Sequence, residues 1–232
     1  MKILMSGGNG LLGTCLKKIE PSIISLSRSD MDVFDYDQIV KQMKIIKPDI
    51  FLHLAAFTNN RELVKNPIKA IHDNIIGTAN VVLACIEENV KLVYLSTDYV
   101  YSGKKGMYKE EDELLPVNKY AWSKLGGECA VIQYDNSLII RTSFDPSIFP
   151  YEKAFVDMWT SKDSVDLIAP LILQATKSSL IGIVNVGTQR KNMFQYANKK
   201  NKNVKKSIRN EFGDSTDFDT SLDISKFESF FN

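Results

Sequence analysis

Near its N-terminus the chain has a glycine-rich turn between a predicted strand and a predicted helix, and this turn restricts the fold more than any other stretch. The apolar run Lys2–Ser6 predicts a buried strand, and the residues after the turn predict a helix to about Glu20. Glycines at Gly7, Gly10 and Gly13 allow a tight turn, let a pyrophosphate approach main-chain N–H groups, and let the helix pack close to the strand. This order of elements predicts a dinucleotide-binding start.

The glycines have the spacing Gly-x-x-Gly-x-x-Gly, a variant of the dinucleotide-binding fingerprint Gly-x-Gly-x-x-Gly. We expect Leu11 and Leu12, which open the helix, to lie beside the cofactor together with the three glycines. The alternative is a glycine loop with a structural role only.

The predicted second strand, Ile23–Ser27, is followed by Arg28 and has no acidic residue at its end. An acid at this place ordinarily binds the ribose 2′-hydroxyl of NAD, whereas an arginine accommodates the 2′-phosphate of NADP. Arg28 with the Ser27 hydroxyl therefore favours NADP(H) over NAD(H), the alternative being an arginine that is merely exposed. We expect Asp32 and Val33 to lie beside the adenine.

Strands and helices alternate along most of the remaining chain. Apolar runs predict strands at residues 50–56, 91–96, 137–141 and 182–186, and helices are predicted at 36–46, 67–88, from about 118, and at 163–176. This alternation predicts an α/β fold, a Rossmann-type doubly wound parallel sheet with a small C-terminal α/β substrate region. We expect a dinucleotide-binding domain at 1–145 and a reduced substrate-binding region at 146–232, packed on the same domain.

Small and hydroxyl side chains follow two of these strands. Ligands in open α/β sheets bind outside the carboxyl ends of the strands. Ala55 and Ala56 would let the cofactor lie close to the backbone, and Thr97 places a hydroxyl at the end of a central strand. His53, inside an apolar run, is expected to be a core histidine.

Tyr120 and Lys124 are four residues apart in a predicted helix, so both side chains leave one helical face. An ammonium group beside a phenol favours the phenolate, and we expect Lys124 to lower the pKa of Tyr120 toward a range useful for proton transfer. The alternative for this pair alone is a solvated helix face.

Composition excludes several function classes. A formal net charge of +1 gives no general field that would attract nucleic acid or an anionic membrane. No apolar run approaches the ~18 residues that span a bilayer, and the first residues lack a signal-peptide core. Cys15, Cys85 and Cys129 are widely spaced, so we expect reduced core thiols in a cytoplasmic protein, without disulfides or a metal site.

Four motifs together resemble the extended short-chain dehydrogenase/reductases: Gly7-x-x-Gly10-x-x-Gly13, Ser96-Thr-Asp-Tyr-Val-Tyr-Ser-Gly103, Tyr120-x-x-x-Lys124 and Arg141-Thr-Ser143. Within this superfamily the chain is most similar to the dTDP-4-dehydrorhamnose reductase family. Sugar-nucleotide dehydratases carry an acidic residue where Tyr99 stands, so the resemblance argues against dehydration. Between Ser143 and Val165 the chain is shorter than family members, and Phe144 stands where the family often has Trp.

The resemblance implies roles for three catalytic residues. Tyr120 would protonate the alkoxide that forms as hydride reaches a keto carbon, and Thr97 would hydrogen-bond the same oxygen. Lys124 would tune Tyr120 and also hold the nicotinamide ribose. The expected substrate-side residues, at strand ends facing the same cleft, are Thr58, Asp98 and Tyr99.

The function that the resemblance favours is NADP-dependent reduction of a nucleotide-linked 4-keto-6-deoxy sugar in surface glycan biosynthesis. The expected partner is therefore a nucleotide-sugar substrate, and a homodimer is left open. Two alternatives remain at this point. One is another sugar-nucleotide oxidoreductase or epimerase, and the other is a non-catalytic dinucleotide-binding regulatory subunit.

Overall fold

A computed structural model describes residues 1–209 and 218–231. Its strands are β1 (Ile3–Ser6), β2 (Ile24–Ser25), β3 (Ile50–His53), β4 (Lys91–Thr97), β5 (Ser137–Thr142), β6 (Phe144–Asp145), β7 (Lys153–Phe155), β8 (Met158–Thr160), β9 (Asp163–Ser164), β10 (Gly182–Asn185), β11 (Lys191–Asn192), β12 (Lys205–Ser207) and β13 (Phe218–Asp219). Its helices are α1 (Leu11–Ile19), α2 (Tyr36–Ile46), α3 (Asn60–Lys65), α4 (Pro67–Lys69), α5 (Gly77–Glu87), α6 (Lys119–Val131), α7 (Val165–Lys177), α8 (Met193–Lys200) and α9 (Ser225–Phe231). A π-helix spans Ala70–Ile76, and a 3₁₀ turn spans Asp98–Val100.

Six parallel strands form the central sheet in the order β10-β5-β4-β3-β1-β2. After β1 the chain crosses to β2 on one side, and after β2 it crosses back to β3 on the other side. The strand order therefore reverses between β1 and β3, where open α/β sheets form a ligand crevice. The predicted doubly wound parallel sheet is confirmed.

Both faces of the sheet are buried, because alternate side chains of each strand point to opposite layers. Met5 and Leu52 belong to the apolar cluster that includes α1 and α7, whereas Leu4 and Phe51 belong to the cluster that includes α2 and α5. His53 also lies in the core, with hydrogen bonds to the hydroxyls of Ser6 (2.7 Å) and Thr78 (3.1 Å). Burial lowers the pKa of His53 to about 3, so this histidine is neutral at physiological pH.

Several predicted elements differ in extent from the observed ones; the strand predicted at 50–56, for example, ends at His53. β2 has two residues rather than five, and as an edge strand it pairs only with β1. The helix predicted at 67–88 contains the π-helix, which turns Asn74 inward to the loop after β3. The helix predicted from residue 163 begins at Val165, because Asp163 and Ser164 pair with β6 instead.

The C-terminal part forms several short sheets, β11-β8-β13, β12-β7 and β6-β9. Phe149 and Tyr196 pack in a small apolar cluster of this part. However, α7 and β10 belong to the layers of the central sheet although both follow residue 145. A domain boundary after residue 145 stays a prediction, and residues 210–217 and 232 of the predicted second region lie outside the described part.

Two further expectations concern cysteines and membranes. Cys15 and Cys85 are buried, as expected, but Cys129 is exposed on α6, so its prediction as a core thiol is wrong. The apolar context of Cys129 along the chain did not reveal which side of α6 faces solvent. None of the helices in the described residues is long and apolar enough to cross a membrane.

A buried ion pair joins β5 to α6. Arg141 donates from Nε and Nη2 to the Glu128 carboxylate, at 3.1 and 2.7 Å, and both side chains are almost fully buried. Its Nη1 donates to the hydroxyl of Tyr101 (2.8 Å) and to the carbonyl of Glu110 (2.9 Å). The guanidinium therefore crosslinks β5, α6 and the segment after β4.

We expect Glu128→Ala to lower the free energy of unfolding by about 3–5 kcal/mol, because it leaves the Arg141 charge buried and unpaired. Urea unfolding followed by circular dichroism measures this change. The matched control is Asp112→Ala, which removes an exposed pair with Lys105 and should cost less than about 1 kcal/mol. Equal losses in the two variants would contradict a structural role for the buried pair.

Candidate active site

A cleft of about 700 Å³ opens at the carboxyl ends of β1, β3, β4 and β5. The predicted residues that line it are Gly7, Gly10, Leu11, Leu12, Gly13, Arg28, Asp32, Val33, Ala55, Ala56, Thr58, Thr97, Asp98, Tyr99, Tyr120 and Lys124. Ser27 is the predicted site residue that does not line the cleft. Its hydroxyl bonds Ser29 (2.7 Å) and the Asp30 carboxylate (2.5 Å).

The glycine turn at one end of the cleft tolerates no side chain at two positions. Gly7 has φ of +75°, and a Cβ there would lie 2.6 Å from the backbone nitrogen of Ala55. A Cβ on Gly13 would lie 2.6 Å from the carbonyl oxygen of Gly7. Gly10 caps α1 without a side-chain hydrogen bond, so the first-turn N–H groups are available to an anion in the cleft.

Arg28 stands beside this turn with an exposed side chain. Its Nε donates to the Asp32 carboxylate at 3.0 Å, and the guanidinium lies 5.3 Å from the ring centre of Phe34. The side chain is 69% exposed, so its remaining N–H groups can reach a ligand. Asp32 thus orients Arg28, which the sequence did not reveal.

Asn74 ties the loop after β3 to α6. Its Oδ1 accepts from Phe57 N at 2.7 Å, and its Nδ2 donates to Phe57 O (3.0 Å) and Ser123 Oγ (2.8 Å). These bonds fix the loop that carries Ala55, Ala56 and Thr58 relative to the helix that carries Tyr120 and Lys124. Asn74 is fully buried, so it does not face solvent.

α6 presents Tyr120 and Lys124 to the cleft. Asn118 caps the helix by accepting from Ala121 N at 2.8 Å, which agrees with the helix start predicted at about residue 118. Trp122 lies on the exposed side. The Lys124 ammonium lies 4.0 Å from the ring centre of Tyr94. None of the described residues accepts a hydrogen bond from that ammonium or bonds the Tyr120 hydroxyl, so both groups remain available to ligands.

Burial shifts the pKa of each group in the direction that favours its neutral form. It raises the pKa of Tyr120 above its ordinary value, and the nearby Asp98 and Tyr99 raise it further. It lowers the pKa of Lys124 to about 7, although Glu128 partly opposes this shift. The expected lowering of the Tyr120 pKa by Lys124 is therefore wrong, because the loss of solvation dominates.

Thr97 ends β4 and forms two hydrogen bonds of its own. Its hydroxyl oxygen accepts from Tyr99 N and the hydroxyl donates to Asp98 Oδ1, both at 3.2 Å. Asp98 is 1% exposed, and its Oδ2 accepts from the Thr220 hydroxyl at 2.9 Å. Burial raises the pKa of Asp98 to about 6. Each carboxylate oxygen of Asp98 thus accepts a hydrogen bond from the protein itself.

Several cleft residues were not predicted from the sequence. The buried hydroxyls of Ser96 and Thr142 line the cleft and have no hydrogen-bond partner among the described residues. Asp145 and Lys162 also line it. Asp145 ends the two-residue strand β6, and Lys162 lies between the short strands β8 and β9, where no periodicity marks a site. Unpartnered hydroxyls and free helix N–H groups make the cleft suitable for an anionic dinucleotide.

We expect Lys124→Met to raise the free energy of unfolding of the ligand-free protein by about 2–4 kcal/mol at pH 7, because it removes a buried ammonium. Unfolded lysine keeps its proton up to pH ~10.5, whereas folded Lys124 loses it near pH 7. The free energy of unfolding of the wild type should therefore rise between pH 7 and pH ~10.5, and the difference between the variant and the wild type should shrink. Urea unfolding at pH 7 and pH 9.5 tests this, with Lys18→Met on α1 as the exposed control. A stability loss at pH 7 would contradict it.

Among the described residues, no group of His, Cys, Asp and Glu could hold a metal ion.

The sequence matches the family described as RmlD substrate binding domain over residues 1–178. It is 28% identical over 192 residues to a dTDP-4-dehydrorhamnose reductase of Aggregatibacter actinomycetemcomitans, covering 79% of this chain and 65% of that protein. It is 35% identical over 149 residues to the Bacillus subtilis spore coat polysaccharide biosynthesis protein SpsK, covering 62% of this chain and 53% of that protein.

The chain thus spans about half to two thirds of the length of these curated relatives. Among solved structures, it is similar to the dTDP-4-dehydrorhamnose reductase of Bacillus anthracis in complex with NADP, with TM-score 0.87, 26% identity, and coverage of 99% of this chain and 92% of that one. It is also similar to a hypothetical dTDP-4-dehydrorhamnose reductase from Sulfolobus tokodaii, with TM-score 0.84, 28% identity, and coverage of 99% of this chain and 94% of that one. The fold, the site and the match over residues 1–178 show that this chain belongs to the RmlD substrate binding domain family.

Proposed function

We propose that this protein is an NADP-dependent reductase of a nucleotide-linked 4-keto-6-deoxy sugar. The observation that carries the proposal is the cleft itself, which has a glycine turn at one end and Thr97, Tyr120 and Lys124 together at the other. A purely regulatory dinucleotide-binding protein has no physical need for an available phenol beside an available ammonium. Proton transfer to a substrate does need them.

NADP(H) is the cofactor favoured by the residues of the cleft. The turn of Gly7, Gly10 and Gly13 with Leu11 and Leu12 suits the pyrophosphate, and Arg28 suits the 2′-phosphate. The remaining residues assigned to the cofactor are Asp32, Val33, Ala55, Ala56, Tyr120 and Lys124. NADPH would supply the hydride. The related Bacillus anthracis reductase was solved with NADP.

Tyr120 acts as the general acid in this proposal. Because burial raises its pKa, its hydroxyl stays protonated at neutral pH and can protonate the far more basic sugar alkoxide. Thr97 bonds the same oxygen after its proton turns away from Asp98. Lys124 holds ribose hydroxyls, and its protonated form stabilises negative charge that develops beside Tyr120.

The substrate class rests on the family and on the names of its members. The relatives include a Haloferax volcanii protein named as a probable low-salt glycan biosynthesis reductase, 29% identical over 160 residues. We assign Thr58, Asp98 and Tyr99 to the substrate side, with the buried Asp98 acting through Thr97, whose hydroxyl donates to it. A role in surface glycan synthesis and a cytoplasmic location belong to this proposal, which includes no nucleic-acid or membrane partner.

A direct assay tests the function. The protein is incubated with NADPH and a panel of dTDP-, UDP-, GDP- and CMP-linked 4-keto sugars, and loss of nicotinamide absorbance is followed. Reduction of a 4-keto-6-deoxy sugar is the expected result. Isomerised sugar without net NADPH loss would indicate an epimerase, and NADPH binding without turnover of any sugar would indicate a regulatory subunit.

We expect Tyr120→Phe to lower kcat by about 10²–10⁴-fold with little change in NADPH affinity, because one hydroxyl is lost and the ring is kept. Steady-state kinetics and calorimetric titration with NADPH measure the two quantities. Tyr134→Phe is the matched control, since its hydroxyl lies outside the cleft. Turnover by Tyr120→Phe at the wild-type rate would make the catalytic assignment wrong.

We expect Arg28→Ala to weaken NADPH binding about tenfold or more and to leave NADH binding nearly unchanged. The reason is the loss of a charge-assisted contact worth roughly 1.5–3 kcal/mol. Calorimetric titration of both cofactors measures the ratio. Arg190→Ala serves as the control, since this arginine pairs with Asp219 and does not line the cleft. Equal losses for NADPH and NADH would contradict a 2′-phosphate contact.

A further inference from the structure

Lys162 is a buried lysine at the substrate end of the cleft to which neither the sequence nor the family resemblance assigned a role. It lies between β8 and β9, is 9% exposed, and lines the same cleft as Thr97 and Tyr120. Its Nζ lies 3.3 and 3.4 Å from the two carboxylate oxygens of Asp145. Asp145 also lines the cleft.

The ammonium of Lys162 has fewer partners than a buried ammonium requires. It carries three N–H donors, yet Asp145 is its one hydrogen-bonding partner within residues 1–209 and 218–231, and those contacts are longer than an ordinary N–H···O bond. A second buried lysine shows the contrast. Lys191, 7% exposed and outside the cleft, contacts Thr188 Oγ1 (2.5 Å), Gln189 O (3.1 Å) and the Asp163 carboxylate (3.5 Å).

Lys191 thus contacts three groups of the protein, whereas Lys162 has one partner and keeps spare donors beside the cleft. Burying a polar group without partners costs free energy, so such a group at a ligand site indicates a partner that the ligand supplies. Asp145 is in a similar position. Its side chain is 34% exposed, and its carboxylate can accept further hydrogen bonds.

Charge coupling places Lys162 near the reacting end of the cleft. Burial lowers the pKa of Lys162, but Tyr99, Asp145 and Asp98 outweigh burial and raise it. Asp98 and Tyr99 are also the groups that, after burial, raise the pKa of Tyr120. Asp98 and Tyr99 are thus close enough to both Tyr120 and Lys162 to shift the pKa of each.

We propose that Lys162 and Asp145 together bind one ring hydroxyl of the sugar, and so determine which sugars the cleft accepts. The inference rests on the proposed function, because it takes the keto carbon to lie at Thr97 and Tyr120. A hydroxyl both accepts from an ammonium and donates to a carboxylate, so it satisfies the two groups at once. A sugar carboxylate in that place would instead meet the negative charges of Asp145 and Asp98.

Calorimetric titration of the NADP⁺-loaded protein with dTDP-rhamnose and with dTDP tests the assignment. Lys162→Met should weaken dTDP-rhamnose binding at least about tenfold, because a charge-assisted hydrogen bond is lost, and should leave dTDP affinity within about twofold. Asp145→Ala should act in the same direction. Lys191→Met is the control for removal of a buried ammonium, and it should change neither affinity when the folded fraction is matched by circular dichroism.

Three results would overturn the inference. The first is an equal loss of affinity for dTDP-rhamnose and for dTDP in Lys162→Met, which would assign the lysine to the diphosphate. The second is a loss of NADP⁺ affinity in that variant. The third is a wild-type protein that binds dTDP-rhamnose no better than dTDP. Failure of the proposed function is distinguished by the keto-sugar panel, which is measured on the wild type alone. If Lys162→Met misfolds, Asp145→Ala decides, since its more exposed side chain can be removed at lower structural cost.

Discussion

The buried ion pair between Arg141 and Glu128 is the interaction on which the geometry of the candidate site depends. Glu128 lies one helical turn after Lys124 and two turns after Tyr120, so the three side chains leave α6 in similar directions. By binding Glu128 with three contacts, Arg141 on β5 fixes the rotation of α6 about its own axis. Since such a pair gains little stability over an apolar pair, its value here is orientation. Tyr120 and Lys124 face the cleft because Glu128, on the same helix, is held against the sheet by Arg141.

The sequence predicted those features in which local chemistry and the pattern of burial agree. The strand, glycine turn and α1 follow from Gly7 and Gly13, whose missing side chains leave room that no other residue would allow. The start of α6 follows from Asn118, which caps the helix through a bond three residues away. Such features need only neighbouring residues, and they were enough to identify the sheet and most residues of the cleft.

Features that depend on distant partners were missed or predicted with the wrong sign. The pKa of Tyr120 was expected to fall because Lys124 is near in sequence, but it rises because the surrounding fold removes water from both groups. Cys129 and Trp122 face solvent on a helix whose buried side is set by Tyr94 and Arg141. Lys162 and Asp145 pair from neighbouring segments, the β8–β9 connection and β6, and no spacing rule relates them.

The bond from Thr220 to Asp98 has a consequence for how the protein is made. Residues that build the sheet from β1 to β5 leave the ribosome first, and that part already carries Thr97, Tyr120 and Lys124. Asp98 nevertheless lacks a partner for one buried oxygen until Thr220 arrives, and Tyr108 N likewise awaits the carbonyl of Ser221. A chain synthesised through β10 contains all six strands of the sheet but not yet the residues that give the end of β4 its last hydrogen bond. The finished cleft therefore depends on residues near position 220 as well as on the strands that line it.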